Sequence, residues 1–111
     1  MIVDFDRIQE EKIRNFRGGE REIFLRLFTD GGNKIMYGRL KPGASVGVHT
    51  HGTSSEMVYI LEGAGTALYD GKAEAVRPGL CHYCPQGHSH SLVNDGAEDL
   101  VFFAVVPQAP V

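Results

Sequence analysis

Four residues, His49, His51, Glu56 and His90, are of the types and at the spacings that can hold one metal ion. A strand repeats its side-chain direction every second residue, so His49 and His51, on either side of Thr50, point to the same face. Gly52-Thr53-Ser54-Ser55 reads as a turn that returns Glu56 on the neighbouring strand, close to that pair. Three neutral imidazoles and one carboxylate leave a divalent ion with a net positive charge, and an octahedral ion so bound keeps two positions for water or substrate. Closed structural zinc sites are thiolate-rich and tetrahedral, and this set has no thiolate. An open centre of this kind can polarise a carbonyl or hydroxyl of a bidentate substrate, lower the pKa of a bound water, or bind dioxygen if the metal is redox-active. The ligand types suit one divalent transition metal, manganese, iron, nickel, zinc or copper, without choosing among them.

Strands and turns must bring these residues together. Fourteen glycines and five prolines in 111 residues punctuate the chain with the rhythm of an all-β sandwich or barrel, in one domain over residues 1–111. Phe5 to Phe16 is loosely periodic and reads as a short helix with Asp6 as its cap, stopped by Gly18-Gly19. Strands follow over Glu22 to Phe28, Lys34 to Lys41, Ser45 to His51 and Glu56 to Glu62, the last two read as a pair. Further strands cover Thr66 to Tyr69, Lys72 to Val76, Leu80 to Cys84, His88 to Val93 and Leu100 to Val106. The clearest hairpin turn is Asp70-Gly71, because Asp-Gly supplies the positive φ that a type I′ turn requires. The tail, Pro107 to Val111, reads as surface chain.

Composition excludes several classes. A net charge of −3 with no basic cluster argues against a nucleic-acid partner or an anionic membrane surface. The start Met-Ile-Val-Asp-Phe-Asp lacks a basic region followed by an apolar stretch, and no apolar run approaches a membrane span, so the expected location is cytoplasmic. Cys81 and Cys84 form a C-x-x-C, yet positions three apart on a strand face opposite ways, which opposes a disulfide and shared coordination. They read as two reduced thiols packed as small apolar residues.

Two segments also carry a family pattern. Gly43, His49, His51, Glu56 and Gly63 fall at the spacings of the first signature of the cupins. Gly79, Pro85, Gly87, His90 and Asn94 fall at those of the second. These ten specified positions in order make this far more specific than a short motif, and together the segments span about half of the chain. The resemblance implies a small conical barrel of two antiparallel sheets, of the jelly-roll type, usually a homodimer, with a divalent metal held inside. Carried over, His49, His51, Glu56 and His90 are the ligand positions, while Gly43, Gly63, Gly79, Pro85, Gly87 and Asn94 shape turns. The apolar strands Glu22 to Phe28 and Leu100 to Val106 have faces that could bury a second copy.

Other residues could shape the pocket. His88 shares strand parity with His90 and could serve as a base beside the metal, although its place after Gly87 fits a pocket rim. His82 could shuttle protons or be a surface imidazole. Tyr37 and Arg39 share one strand face; if it points inward they could clamp a carboxylate or hydroxyl, but Met36, Gly38 and Leu40 make an equally good inward face. Tyr59, Tyr83, Phe102 and Phe103 suit packing, in the core or at a dimer interface, more than substrate contact. The leading expectation is a metal-dependent enzyme acting on a small polar chelating metabolite, a hydroxy acid or sugar-derived compound, with the ion as Lewis acid and His88, Tyr37 or Arg39 supplying proton transfer or orientation. The alternatives are an iron-dependent dioxygenase, a cupin that binds or senses a small molecule without turnover, and a structural cupin with no metal.

Overall fold

Residues 1–108 are described by the structure, a computed structural model. Alternating apolar and polar residues build ten antiparallel strands among the described residues: β1 (Glu11–Arg14), β2 (Glu22–Thr29), β3 (Asn33–Leu40), β4 (Ser45–Thr50), β5 (Glu56–Glu62), β6 (Gly65–Tyr69), β7 (Lys72–Val76), β8 (Cys81–Cys84), β9 (Ser89–Val93) and β10 (Leu100–Pro107). One sheet has the order β1-β2-β3-β10-β5-β8 and the other β4-β9-β6-β7. The two enclose a common core, a double-sheet jelly-roll arrangement as expected. Consecutive strands β4 and β5 fall in different sheets. Ser45 to His51 and Glu56 to Glu62 are therefore not a hairpin pair: β4 pairs with β9, and β5 pairs with β10 and β8.

Pleating sorts each strand into an inner and an outer row. In β5, Glu56, Val58 and Ile60 are buried while Met57, Tyr59 and Leu61 are exposed. At one end of the six-stranded sheet Ile23, Leu40 and Leu100 align and close the core. At the other end Thr29, Lys34 and Val106 align where the interior opens to solvent. Asn94, fully buried, holds the closed end: its amide donates to the carbonyls of Leu40 (2.8 Å) and Glu98 (2.7 Å), and its oxygen accepts from the Gly96 N–H. A buried amide with every group satisfied in this way fixes three chain segments at once. The β6–β7 turn is the expected type I′, with φ of 48° at Asp70 and 83° at Gly71.

The amino-terminal segment departs from expectation. No helix spans Phe5 to Phe16; single 3₁₀ turns at Phe5–Arg7 and Phe16–Gly18 flank β1. Asp4, and not Asp6, caps the first turn by accepting from the Asp6 N–H. A lone short helix with a weak apolar stripe is marginal, whereas pairing with β2 satisfies the backbone of Glu11–Arg14 directly. The Arg26 guanidinium ties the leading segment down by donating to the carbonyls of Phe5 (3.0 Å) and Ile8 (2.7 Å).

Large exposed apolar side chains, Met57, Tyr59, Leu61 and Tyr83, gather on the outer face of β5 and β8, and β5 adjoins β10, one of the two strands expected to have faces left over. Pro107 ends β10 and Gln108 bridges to Ser54; the rest of the tail, residues 109–111, lies outside the described residues. Among the described residues no helix is long and apolar enough to cross a membrane.

Candidate metal centre

Strand register sets the first two ligands side by side. On the inner face of the four-stranded sheet His49 pairs directly with His90 across β4 and β9. A bulge between Val46 and His49 shifts the pleat, so Val46, His49 and His51 all face inward even though the first two are three residues apart. Gly47, within this bulge, lies against the Phe16–Gly18 turn. A Cβ there would lie 2.0 Å from the Arg17 carbonyl oxygen, so only glycine admits the Phe16–Gly18 turn against β4. Gly87, at φ 87°, shapes the turn into β9, and its N–H donates to the His51 carbonyl at 2.7 Å. His51 therefore stays in line with β4 although the strand ends at Thr50.

Glu56 reaches the cluster from β5 in the facing sheet, not from a strand adjacent to His49 and His51. The centre thus bridges both sheets. Nε2 of His51 lies 3.1 Å from that of His49 and 2.9 Å from that of His90, and the His49 and His90 atoms are 3.1 Å apart. Glu56 Oε1 is 3.0 Å from the Nε2 atoms of His51 and His90 and 3.9 Å from that of His49. Burial opposes ionisation of Glu56, but positive charge among the His49, His51 and His90 rings, a proton or a metal ion, outweighs it and holds the carboxyl well below its usual range.

The far side of each ring decides which nitrogen is free. His49 Nδ1 lies 2.8 Å from the Gly47 carbonyl, which can only accept, so that nitrogen carries the proton and Nε2 presents a lone pair. His51 Nδ1 is 2.8 Å from Ser54 Oγ, a hydroxyl able to accept a hydrogen bond from Nδ1–H and leave Nε2 with its lone pair. His90 Nδ1 is 3.1 Å from Nε2 of His82, whose own Nδ1 faces the Glu74 carboxylate at 3.3 Å. The carboxylate fixes the direction: His82 donates to Glu74 and accepts from His90. Burial, with His90 next to it, pushes the His82 pKa down and keeps that ring neutral. Three lone pairs and a carboxylate oxygen, all within 4.8 Å of one another, form a donor set that suits a divalent cation.

Beside these ligands a cavity of about 450 Å³ opens to solvent. Its wall is mostly apolar, with Thr53 and Gln108 near the rim and Arg17 and Lys34 as its cationic members. Tyr37 and Arg39 lie elsewhere, because Met36, Gly38 and Leu40 form the inner row of β3. Arg39 is held outside the six-stranded sheet by Glu10 at 2.9 Å and Asp99 at 3.4 Å, over the Phe24 ring. Tyr37 stands beside Phe5, both lining a separate hollow on that outer face. His88 is half exposed, bonded to Asp70 at 2.5 Å and stacked on Tyr69, and it does not line the cavity. Cys81 is exposed and Cys84 buried, on opposite faces and both free, so packing as a small apolar residue describes Cys84 alone. Burial pushes the Cys84 thiol up to about 11, which keeps it protonated.

His82 is the functional residue that sequence reasoning undervalued. The available signal was parity with Cys84, since both belong to the buried row of β8. Partners that orient a metal-bound imidazole typically contribute about 10- to 100-fold to metal affinity. His82→Ala is accordingly expected to weaken manganese binding by about that factor, measured by competition with a chromophoric chelator. His82→Gln, whose amide oxygen can accept the His90 proton, should recover most of the loss. An alanine variant that binds as tightly as the parent would remove this role.

Comparison with known proteins agrees with the geometry. Residues 36–106 match the family model described as a cupin domain. An oxalate-binding protein of Thermotoga maritima is 38% identical over 112 residues, covering 96% of this chain and 93% of the relative. A T. maritima crystal structure described as a predicted oxalate decarboxylase superposes with a TM-score of 0.91 at 33% identity, over 97% of this chain and 99% of that one. A polyketide cyclase from Streptomyces resistomycificus, 24% identical, shares the fold with a TM-score of 0.79 over 99% of this chain and 82% of its own. With both signatures placed around one buried His₃Glu cluster and the family model matched over most of its length, this chain belongs to the cupins.

Proposed function

We propose that this protein binds a small carboxylic acid that chelates through two adjacent oxygens, using a divalent metal held by His49, His51, Glu56 and His90. The observation that carries it is the converging donor set at one end of an open cavity. Once bound, the ion supplies Lewis-acid attraction for an anionic, bidentate oxygen pair. Glu56 offsets one charge and leaves the centre net positive toward a carboxylate. Gly47, Ser54 and the His82–Glu74 pair hold the three imidazoles in the required tautomer. Arg17 and Lys34 at the rim attract an anion, and neither forms an ion pair among the described residues.

Turnover is the second reading, favoured by the relative described as a predicted oxalate decarboxylase. Loss of carbon dioxide from hydrogen oxalate leaves formate: the C–C bonding pair stays on the retained carbon and takes up a proton. Tyr37, Arg39 and His88 do not line the cavity, so binding stands ahead of catalysis. Manganese-loaded protein is expected to bind oxalate in a calorimeter, to lose that binding when a chelator removes the metal, and to return the acid unchanged. Formate above the blank would favour the decarboxylase instead. Absence of any metal-dependent binding would contradict both.

We also propose a homodimer through the outer face of β5 and β8, where Met57, Tyr59, Leu61 and Tyr83 form a patch of exposed apolar side chains. Light scattering at micromolar concentration should give twice the chain mass, and Tyr59→Glu should shift it toward the single chain. A monomeric parent protein would contradict this assembly.

A further inference from the structure

The cavity is built for more than a two-carbon diacid. Beyond the metal ligands its wall is made by the inner rows of β2, β3 and β10: Ile23, Leu25 and Leu27, then Met36, then Val106. Phe16 closes one side, locked in place by the contact of its turn with Gly47. At about 450 Å³ the space falls among pockets of roughly 300–1,000 Å³ that enclose whole metabolites. Oxalate consists of two carboxylates. It can satisfy the metal, but it has no carbon–hydrogen surface to set against these side chains, and Leu27, 39% exposed, would stay in water.

We infer that the preferred ligand is a 2-oxo or 2-hydroxy acid with an apolar body, its carboxylate and neighbouring oxygen on the metal and its hydrocarbon chain along Leu25, Leu27 and Met36. This rests on the metal-dependent binding proposed above and adds the chemical class of the ligand's far end. The wall gives the direction of the effect. Each methylene moved from water onto an apolar wall strengthens binding by about fourfold. A diacid limited to the metal's reach gains nothing from the rest of the cavity. Arg17 and Lys34 stand where an entering anion first meets the protein, so they assist every acid of the series alike.

The test is calorimetric titration of manganese-loaded protein with oxalate, pyruvate, 2-oxobutanoate, 2-oxopentanoate and 2-oxohexanoate. Affinity is expected to rise along the 2-oxo series by about two- to fourfold per methylene, so that 2-oxohexanoate binds about 8- to 60-fold more tightly than pyruvate and more tightly than oxalate. If oxalate and pyruvate bind and affinity is flat along the series, or falls with length, the apolar-body inference is overturned while metal-dependent binding stands. If none of the acids binds although the metal is held, the function proposed above fails and this inference fails with it.

Discussion

Four electron-pair donors drawn from two sheets are held at 2.9–3.9 Å from one another in a largely buried pocket, and the rest of the structure is arranged around that crowding. Neutral imidazole nitrogens that all present lone pairs cannot hydrogen-bond to one another, and a buried carboxylate beside them needs a positive partner. A divalent cation resolves both demands at once. The β4 bulge, the Gly87 turn and the His49–His90 register bring the donors close, while the anchored Nδ1 atoms prevent the rings from turning away. The hydrophobic core at the closed end then serves as a scaffold that keeps the two sheets at a fixed separation.

The chemistry of the site is divided between the two sheets. The four-stranded sheet carries the histidines, and the six-stranded sheet contributes Glu56 together with most of the apolar wall. One side of the cavity therefore binds charge and the other excludes water, an arrangement suited to a ligand with a chelating head and a hydrocarbon body. The His90–His82–Glu74 chain runs the other way, from the buried ligand to a half-exposed carboxylate on β7. Its length is unusual for support of a metal ligand, which is commonly oriented by a single carboxylate or carbonyl.

Much of this was legible in the sequence because it depends on local spacing. His49 and His51 share a face under any strand register, and the two signatures fixed the ligands and the turn positions together. What local spacing does not encode is which sheet a strand joins. Glu56 follows a short turn and reads as the far arm of a hairpin, yet the turn crosses between sheets, as jelly-roll connections do. Parity could not choose the inward row of β3, because Tyr37 and Arg39 have the same period as Met36 and Gly38; burial against Phe102 and Leu25 decided it. At Phe5 to Phe16 weak helical periodicity lost to pairing with the edge of β2, an interaction that lies beyond the three- and four-residue spacings a helical pattern reads. His82 was underrated for a similar reason: its partner Glu74 belongs to the other sheet and is brought near only by the fold.

The central claim is that the His₃Glu cluster holds a metal. Elemental analysis of protein isolated without added ions tests it most directly, with a Glu56→Ala variant prepared in parallel. About one equivalent of a divalent transition metal per chain, strongly reduced in the variant, is the predicted result. Less than about a tenth of an equivalent in the parent protein, or an equal content in the two, would contradict it.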